Sequence, residues 1–481
     1  MEGGTSAITC DGADVIKRCL TINRRDDQSR DLSTYYEIED CASWIREHDF
    51  KVVALQFPDE LLEDSADVTA LLSSLTEAKL FILGDTTYGS CCVDVIASQH
   101  VLATAVIHFG RACLSSVSEV PVRYVFGQEN LDAKDCCAKF QQLYPETETA
   151  VVVFYDVVYS YAIDQIKTVL LSQYTNLIFS NLKLSPEARP EIDESRFTII
   201  VKGGRTFALP SSETESNYQM FFVGGECLAL TNLMLTFNKC AFSTYDPAGG
   251  AARRETLSVN KRLMRRYYMV ERAKDARVVG VVAGAPGVAD VVAAIERVRD
   301  VARRAGKKPY TLVVGKLNAA KLANFAEMDV FVLVACAENT LVDAGDLYRP
   351  IVTPFEMELA CNAAREWTGD YVTDFRELLP GSTMHVPMSE ESSDASVDVS
   401  LITGKTRSIG ITEELTLGQS TTAVIDRNSS LTMVAESSTA AEYLEQRSWR
   451  GLEQALGETA VSKAKEGRRG IAAGYENEPA S

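Results

Sequence analysis

Runs of consecutive apolar residues constrain the fold of this chain more than any other feature. Clear examples are residues 51–57 (KVVALQF), 150–155 (AVVVFY) and 277–283 (RVVGVVA), which have no polar alternation. Strands of this kind are typical of parallel sheets that helices cover on both faces. Residues 289–305 have apolar side chains at helical spacing and end before Gly306, which predicts a helix. The alternation predicts an α/β protein with mainly parallel sheets. The other predicted strands are 80–83, 101–108, 177–180, 197–201, 220–223, 310–314 and 329–335.

The strand pattern starts again three times along the chain. The segments KVVALQF, AVVVFY and RVVGVVA each open a further series of strands and helices. Repetition of one supersecondary plan is a stronger signal than any single strand. It predicts three related α/β domains, and the alternative is one large sheet with insertions. The predicted divisions are an N-terminal extension at 1–44 and domains at 45–145, 146–270 and 271–386.

The composition changes after residue 386. The segment MSEESSDASVDVS at 388–400 is acidic and rich in serine, which predicts a linker or a disordered segment. Residues 440–451 have an apolar and aromatic stripe at helical spacing. We therefore predict a polar tail over 387–481 that contains one small docking helix.

The charge balance excludes several classes of partner. The chain has 48 Lys and Arg against 67 Asp and Glu, a net charge of −19. A protein that neutralises phosphates carries the opposite sign, so neither nucleic acid nor an anionic membrane surface is expected as a partner. No apolar run is long enough to span a bilayer, and the N-terminus has no secretory signal. The expected location is the cytoplasm.

The chain has 12 cysteines, a number that needs an explanation. A disulfide framework is typical of small secreted domains, and this chain is long and without a signal sequence. Most of these thiols are therefore expected to be buried core residues. Those that directly follow a strand or lie in a tight turn are the candidates for ligands.

Three cysteine sites follow predicted strands. Cys91 and Cys92 lie in a glycine-containing turn after the strand at 80–83, and Cys113 follows the next strand. Cys336 comes directly after the apolar strand at 329–335. Parallel sheets place ligands at the carboxyl ends of their strands, so thiols from different repeats can converge. Converging thiolates favour an iron–sulfur cluster or zinc.

Other candidates are weaker. Cys227 also follows a strand, but its neighbours do not repeat the other sites. His108 lies within a predicted strand and is expected to be a sheet residue. The four histidines are too scattered to supply a ligand; they are at 48, 100, 108 and 385.

Several segments together resemble one family, the diphthamide synthesis proteins of the first pathway step. The resemblance covers residues 30–380 and a short terminal segment at 447–453. Its most specific segments are LGDTTYGSCCVD, VIHFGRACLS, VLVACAENT and RPIVTPFEMELA. Further similarity lies in QFPDELL, GECLALTNLMLTF, YDP and VGKLNAAKLANF.

The resemblance implies a fold and a reaction. The fold is three α/β domains around a 4Fe-4S cluster. The reaction is a radical cleavage of S-adenosylmethionine that transfers a 3-amino-3-carboxypropyl group to a histidine of translation elongation factor 2. Catalytic members carry one cluster cysteine per domain.

This chain departs from the pattern of the catalytic members. The matching stretch of its middle domain, KGGRTFALP at 202–210, has no cysteine, and Arg205 stands there instead. The resemblance then implies ligands at Cys92, Cys113 and Cys336, with Cys91 as the alternative to Cys92. Arg205 is expected to be a solvated loop residue.

The departure is typical of a second, companion subunit. No catalytic residue is predicted in this chain, and S-adenosylmethionine is expected to bind the partner. The expected partners are a homologous catalytic subunit, elongation factor 2 and an electron donor protein. The expected role is an electron-relaying or non-catalytic iron–sulfur subunit. The alternatives are a scaffold without a redox role and a self-sufficient transferase.

Overall fold

The computed structural model describes the chain in several stretches. These are residues 31–84, 89–117, 119–184, 195–341, 348–388, 396–404, 406–409, 470–471 and 474–475. The predicted helix at 440–451 and the motif at 447–453 lie outside them. The chain divides into two compact units, Met1–Thr412 and Glu413–Ser481. In the second unit, the described backbone is two short antiparallel strands, Gly470–Ile471 and Gly474–Tyr475.

The first sheet is fully parallel and has four strands. They are β1 (Val52–Gln56), β2 (Lys79–Leu83), β3 (Ala105–Phe109) and β4 (Val122–Val125), in the order β2-β1-β3-β4. Its helices are α1 (Leu32–Tyr35), α2 (Ile38–Glu47), α3 (Ser65–Leu75) and α4 (Val95–His100). The next helix, α5 (Ala133–Leu143), packs against the second sheet. The predicted strand at 101–108 begins only at Ala105, because Val101 ends α4 and a turn follows.

The second sheet is mainly parallel and contains an insertion. Its strands are β5 (Val151–Tyr155), β6 (Leu177–Phe179), β10 (Gln219–Val223), β11 (Phe242–Asp246) and β12 (Ala251–Arg254), in the order β12-β11-β10-β5-β6. Only β12 is antiparallel to its neighbour. The inserted strands β7 (Asn181–Leu182), β8 (Phe197–Lys202) and β9 (Arg205–Pro210) form a separate antiparallel sheet. The segment at 197–201 therefore does not join the parallel sheet. Helices α6 (Ile163–Leu171), α7 (Leu228–Thr236) and α8 (Thr256–Asp275) complete this region.

The third sheet repeats the strand order of the first. Its strands are β13 (Val278–Ala283), β14 (Lys308–Leu312), β15 (Val330–Val334) and β16 (Ile351–Val352), all parallel, in the order β14-β13-β15-β16. Its helices are α9 (Val291–Arg304), α10 (Ala319–Ala323) and α11 (Pro354–Cys361). Strands β13 and β15 are almost fully buried, which explains their unbroken apolar sequences.

The three sheets confirm a mixed α/β fold with mainly parallel strands. In each of them the first strand in the chain lies between the second and the third strands of that sheet. This common order is what repetition of one plan produces. The exact domain boundaries stay a prediction.

The described residues at the end of the acidic, serine-rich segment and after it include a β-hairpin. Strands β17 (Ser396–Val399) and β18 (Thr406–Ile409) form an antiparallel pair. Ser400 is buried and its hydroxyl donates a hydrogen bond to Asp275 Oδ2 at 2.7 Å. The prediction of a linker or disordered segment is therefore wrong for residues 396–400, because a hairpin and this polar contact order them.

Candidate metal centre

Four thiols meet at the carboxyl ends of β2, β3 and β15. They belong to Cys91, Cys92, Cys113 and Cys336, and their sulfur atoms all lie within 4.8 Å of one another. The Sγ–Sγ distances are 3.8 Å from Cys91 to both Cys92 and Cys336, and 3.7 Å from Cys92 to Cys113. Three of the four residues are buried and Cys91 is half-buried. The structure thus brings together every cysteine that was predicted as a ligand.

The first sheet holds the turn that carries the adjacent pair. Gln56, at the end of β1, is fully buried, and its Nε2 donates a hydrogen bond to the Cys92 carbonyl at 2.8 Å. Its Oε1 accepts one from the Asp94 backbone N–H at 2.9 Å. The side chain of Asp94 caps α4, which fixes where the turn ends. These bonds satisfy buried backbone groups and so determine the conformation of the turn.

Cys113 is tied to the same turn by the backbone. Its N–H donates a hydrogen bond to the Cys91 carbonyl at 3.1 Å. This bond joins the segments that follow β2 and β3, although β1 lies between those two strands in the sheet. The hydroxyl oxygen of Ser115 lies 3.4 Å from the Cys113 sulfur. A hydroxyl in that position is able to donate to a thiolate.

Cys336 comes from the third sheet, directly after β15 and Ala335. Asn339 contacts two of the thiols. Its backbone N–H donates to Cys336 Sγ at 3.3 Å, and its Nδ2 donates to Cys91 Sγ at 3.3 Å. Sulfur atoms from the first and third sheets therefore share one neighbour.

Proximity of the four thiols changes their acidity. The pKa of Cys113 is well below its ordinary value, because Cys336, Cys91 and Cys92 donate hydrogen bonds to its sulfur. The pKa values of those three are raised, mainly because they donate to Cys113. The thiols are therefore coupled, and ionisation of one opposes ionisation of the others. A soft cation that displaces the remaining protons would stabilise all four thiolates, so the donor set fits a metal.

The inserted antiparallel sheet of β7, β8 and β9 reaches this region through a glycine turn. Gly203 and Gly204 have φ angles of +56° and +69° and form the turn between β8 and β9. A Cβ atom on Gly204 would lie 2.7 Å from Leu114 Cβ and 3.1 Å from the Cys113 carbonyl oxygen. The turn therefore packs directly against the segment that carries Cys113.

Arg205 follows this turn and is buried, at 1% exposure. The prediction of a solvated loop residue is wrong, because Arg205 begins β9 and its Nη2 donates to the Tyr155 carbonyl at 3.1 Å. Its Nε and Nη1 have no hydrogen-bond partner among the described residues. Burial lowers the pKa of Arg205, and the charge of Glu338 opposes this effect. Burial and Cys113 raise the pKa of Glu338 to about 8.

The remaining sequence candidates lie outside the four-thiol group. Cys227 caps α7, since its sulfur accepts a hydrogen bond from the Leu230 backbone N–H at 3.4 Å. His108 lies within β3, as expected, and its Nε2 is 3.0 Å from the Ser90 carbonyl. Cys10 and Cys19 lie outside the described residues. Five further cysteines are free, buried thiols, as predicted: Cys41, Cys136, Cys137, Cys240 and Cys361.

Sequence reasoning did not identify Gln56 and Asn339. Both lie within the motifs that carry the family resemblance, QFPDELL and VLVACAENT. The available signal was a polar amide at the end of an apolar strand or just after a candidate ligand, which is where parallel sheets build sites.

The fold and the site define an α/β protein with three parallel sheets and a buried group of four thiols. The chain belongs to the diphthamide synthesis protein family. The family model described as "Putative diphthamide synthesis protein" matches residues 57–372. The family resemblance inferred from the sequence is therefore confirmed.

Relatives match nearly the whole chain. A protein from Gallus gallus named 2-(3-amino-3-carboxypropyl)histidine synthase subunit 2 is 48% identical and covers 98% of each chain. A protein of the same name from Schizosaccharomyces pombe is 38% identical over 93% of this chain and 92% of its own.

A solved structure has the same fold. The crystal structure of Dph2 from Pyrococcus horikoshii with a 4Fe-4S cluster matches 73% of this chain and 96% of its own, with a TM-score of 0.53 and 19% identity. Among the helices of the described ranges, none combines the length and hydropathy that crossing a membrane requires.

Proposed function

We propose that this chain is the iron–sulfur companion subunit of a 3-amino-3-carboxypropyl transferase in the first step of diphthamide synthesis. The observation that carries the proposal is the buried group of four thiols in a chain whose relatives are named as subunit 2 of that histidine synthase. The protein substrate is a histidine of translation elongation factor 2, and the complex acts in the cytoplasm.

The four cysteines are suited to holding a 4Fe-4S cluster. Such clusters are bound by four Cys thiolates, and this site offers Cys91, Cys92, Cys113 and Cys336. The proposal uses both Cys91 and Cys92 as ligands, since the sulfur atoms of both belong to the group. When bound, the cluster supplies one-electron redox chemistry. Burial of three ligands keeps water from the site, which helps a cluster to persist.

A fully ligated cluster has no open iron for S-adenosylmethionine. The middle domain offers Arg205 where a catalytic member would offer a thiolate, so the ligands come only from the first and third sheets. We therefore assign S-adenosylmethionine binding and bond cleavage to a homologous catalytic subunit in a heterodimer. This chain passes electrons from a donor protein to that subunit.

A zinc-binding scaffold is the second candidate, and one observation favours it. Zinc holds thiolates at about 2.3 Å in a tetrahedron, which separates the sulfur atoms by about 3.8 Å. Two pairs that involve Cys91 are at 3.8 Å. A cubane binds each thiolate to a separate iron, so the side chains would have to move apart. Zinc has no redox role, so it would leave positioning of the partner as the function.

Metal analysis after anaerobic purification distinguishes these candidates. We expect about four irons per chain and a spectrum that dithionite bleaches. The Cys113→Ala and Cys336→Ala variants should lose iron, whereas Cys361→Ala, which removes a buried thiol outside the group, should keep it. Full iron and unchanged spectra in both site variants would contradict the ligand assignment. Zinc in place of iron would favour the scaffold.

A single-turnover assay tests whether this chain transfers electrons while the catalytic partner cleaves S-adenosylmethionine. In heterodimers, the Cys336→Ala variant should slow multiple turnover but still transfer one group when dithionite reduces the partner directly. Complete inactivity, with an intact partner cluster, would show that this site takes part in bond cleavage. Activity of this chain alone on elongation factor 2, with S-adenosylmethionine and reductant, would favour the self-sufficient transferase.

A further inference from the structure

Asn339 joins the two halves of the thiol group. It begins the short helical turn Asn339–Leu341 that follows β15. Its backbone N–H donates to Cys336 Sγ, and its carboxamide crosses to Cys91 Sγ; both distances are 3.3 Å. The carboxamide thus donates to the one thiol of the group that is only half-buried.

Gly89 provides the space that the carboxamide occupies. A Cβ atom built on Gly89 would lie 2.3 Å from Asn339 Nδ2, far inside any allowed contact. The close approach of Asn339 is therefore a reason for the absence of a side chain at this position.

A hydrogen bond to a thiolate ligand affects the two oxidation states of a cluster differently. Reduction adds one electron, and the added negative charge makes each sulfur a better acceptor. Donors at the sulfur atoms therefore stabilise the reduced state and raise the reduction potential. Asn339 presents two N–H donors to two ligands, and it offers no negative charge of its own.

We propose that Asn339 is a positioning residue that fixes the Cys91 thiolate and raises the reduction potential of the bound cluster. The inference rests on the proposed function, since it requires a cluster in the four-thiol site. It adds a specific role to that function: the hydrogen bond from Asn339 to Cys91 affects the reduction potential of the site.

The test uses two variants that disturb the same hydrogen bond from opposite sides. Asn339→Leu removes the donor at nearly constant volume, and Gly89→Ala displaces the donor without changing Asn339. Asn318→Leu is the matched control, because Asn318 is an exposed asparagine that only caps α10. Iron content, circular dichroism and the midpoint potential of the full chain are measured anaerobically, with dithionite as the source of the electron.

The proposed function is decided first, by the iron content of the unchanged chain. If that chain holds the cluster, both site variants should show a reduced-to-oxidised ratio about tenfold lower at a fixed potential, a shift of about 59 mV to more negative values. Loss of cluster from a folded variant also supports the inference, because it shows that Cys91 is no longer held. The control should match the unchanged chain.

A Cys91→Ser background makes the test stricter. With the thiolate gone, Asn339→Leu should produce little further shift, because coupled residues do not act additively. The inference is overturned if both site variants keep their iron and their potential. It is also overturned if Asn339→Leu shifts the potential equally with and without Cys91.

Discussion

Removal of one charge from a buried ion pair should destabilise the third sheet, and removal of both should restore part of the loss. Arg266 on α8 makes two hydrogen bonds to Glu356 on α11, Nε to Oε1 at 2.6 Å and Nη2 to Oε2 at 2.5 Å. The side-chain exposures are 11% and 0%, so solvent screens the pair very little. Glu356 also accepts from the Tyr371 hydroxyl and from the Thr353 backbone N–H, both at 2.8 Å.

The size of the effect follows from this geometry. The Arg266→Met variant leaves a buried carboxylate without its cation, which costs about 3–5 kcal/mol. The two remaining hydrogen bonds to Glu356 place the expected loss near the lower end, about 3 kcal/mol. Adding Glu356→Gln removes the unpaired charge and keeps an acceptor for Thr353. We therefore expect the double variant to be more stable than Arg266→Met alone.

Hydrogen exchange of the backbone amides in α8 and α11 measures this effect locally. It does not require the whole chain to unfold in one transition. Urea unfolding followed by circular dichroism provides a second measurement. A double variant as unstable as Arg266→Met, or less stable, would refute the reasoning, because the loss would then come from packing and not from an unpaired buried charge.

Three further changes have expected outcomes. Gly204→Ala should lower the free energy of unfolding by about 1–2 kcal/mol and speed the loss of metal, because its φ is +69° and the new Cβ would contact Leu114. The control is Gly250→Ala, which has a similar φ of +59° but only an ordinary contact. It should lower stability and leave the rate of metal loss unchanged. Gln56→Leu should lower metal content, because it leaves two buried backbone groups of the thiol turn unpaired at about 1–3 kcal/mol each; equal metal content in both proteins would contradict this. Burial, and to a smaller extent the charge of Asp374, raises the pKa of Glu377 to about 7. The stability that the protonated carboxyl contributes below its ordinary pKa of 4.5 should therefore decline as the pH rises to 7. Urea unfolding at several pH values should show this decline in the unchanged chain and not in Glu377→Gln.

Most interior strands of the sheets were predictable from sequence, because burial on both faces favours an apolar side chain at nearly every position. The interior strand β11 was not predicted, since its buried residues Ser243 and Thr244 interrupt the apolar pattern. The edge strands β4 and β12 were also not predicted. They lie at sheet edges and carry exposed or half-buried charged residues such as Arg123 and Arg253, so they lack that signal. The antiparallel pairing of β8 was also missed, since an apolar run does not reveal the direction of its neighbour.

The candidate site was predictable only at its ligands. Cysteines after strands are visible in a sequence, whereas the function of Asn339 depends on a contact with Cys91, 248 residues away. Arg205 shows the same limit. Its position beside a glycine turn suggested solvent exposure, but the turn packs on the Cys113 segment and buries the side chain. Tertiary contacts, and not local sequence, determine both outcomes.

The hydrogen-bonded contact between Cys91 and Cys336 also has a topological consequence. The two residues are 245 positions apart, so a metal that binds both closes a very long loop of the chain. By the chain-entropy relation for cross-links, closure of a loop of this length removes about 5.5 kcal/mol of conformational freedom from the unfolded state. The metal thereby cross-links the first sheet and the third, and the site is complete only after the ribosome has synthesised about seven tenths of the polypeptide. A nascent chain that ends before Cys336 would contain three of the four thiols and could not form this cross-link.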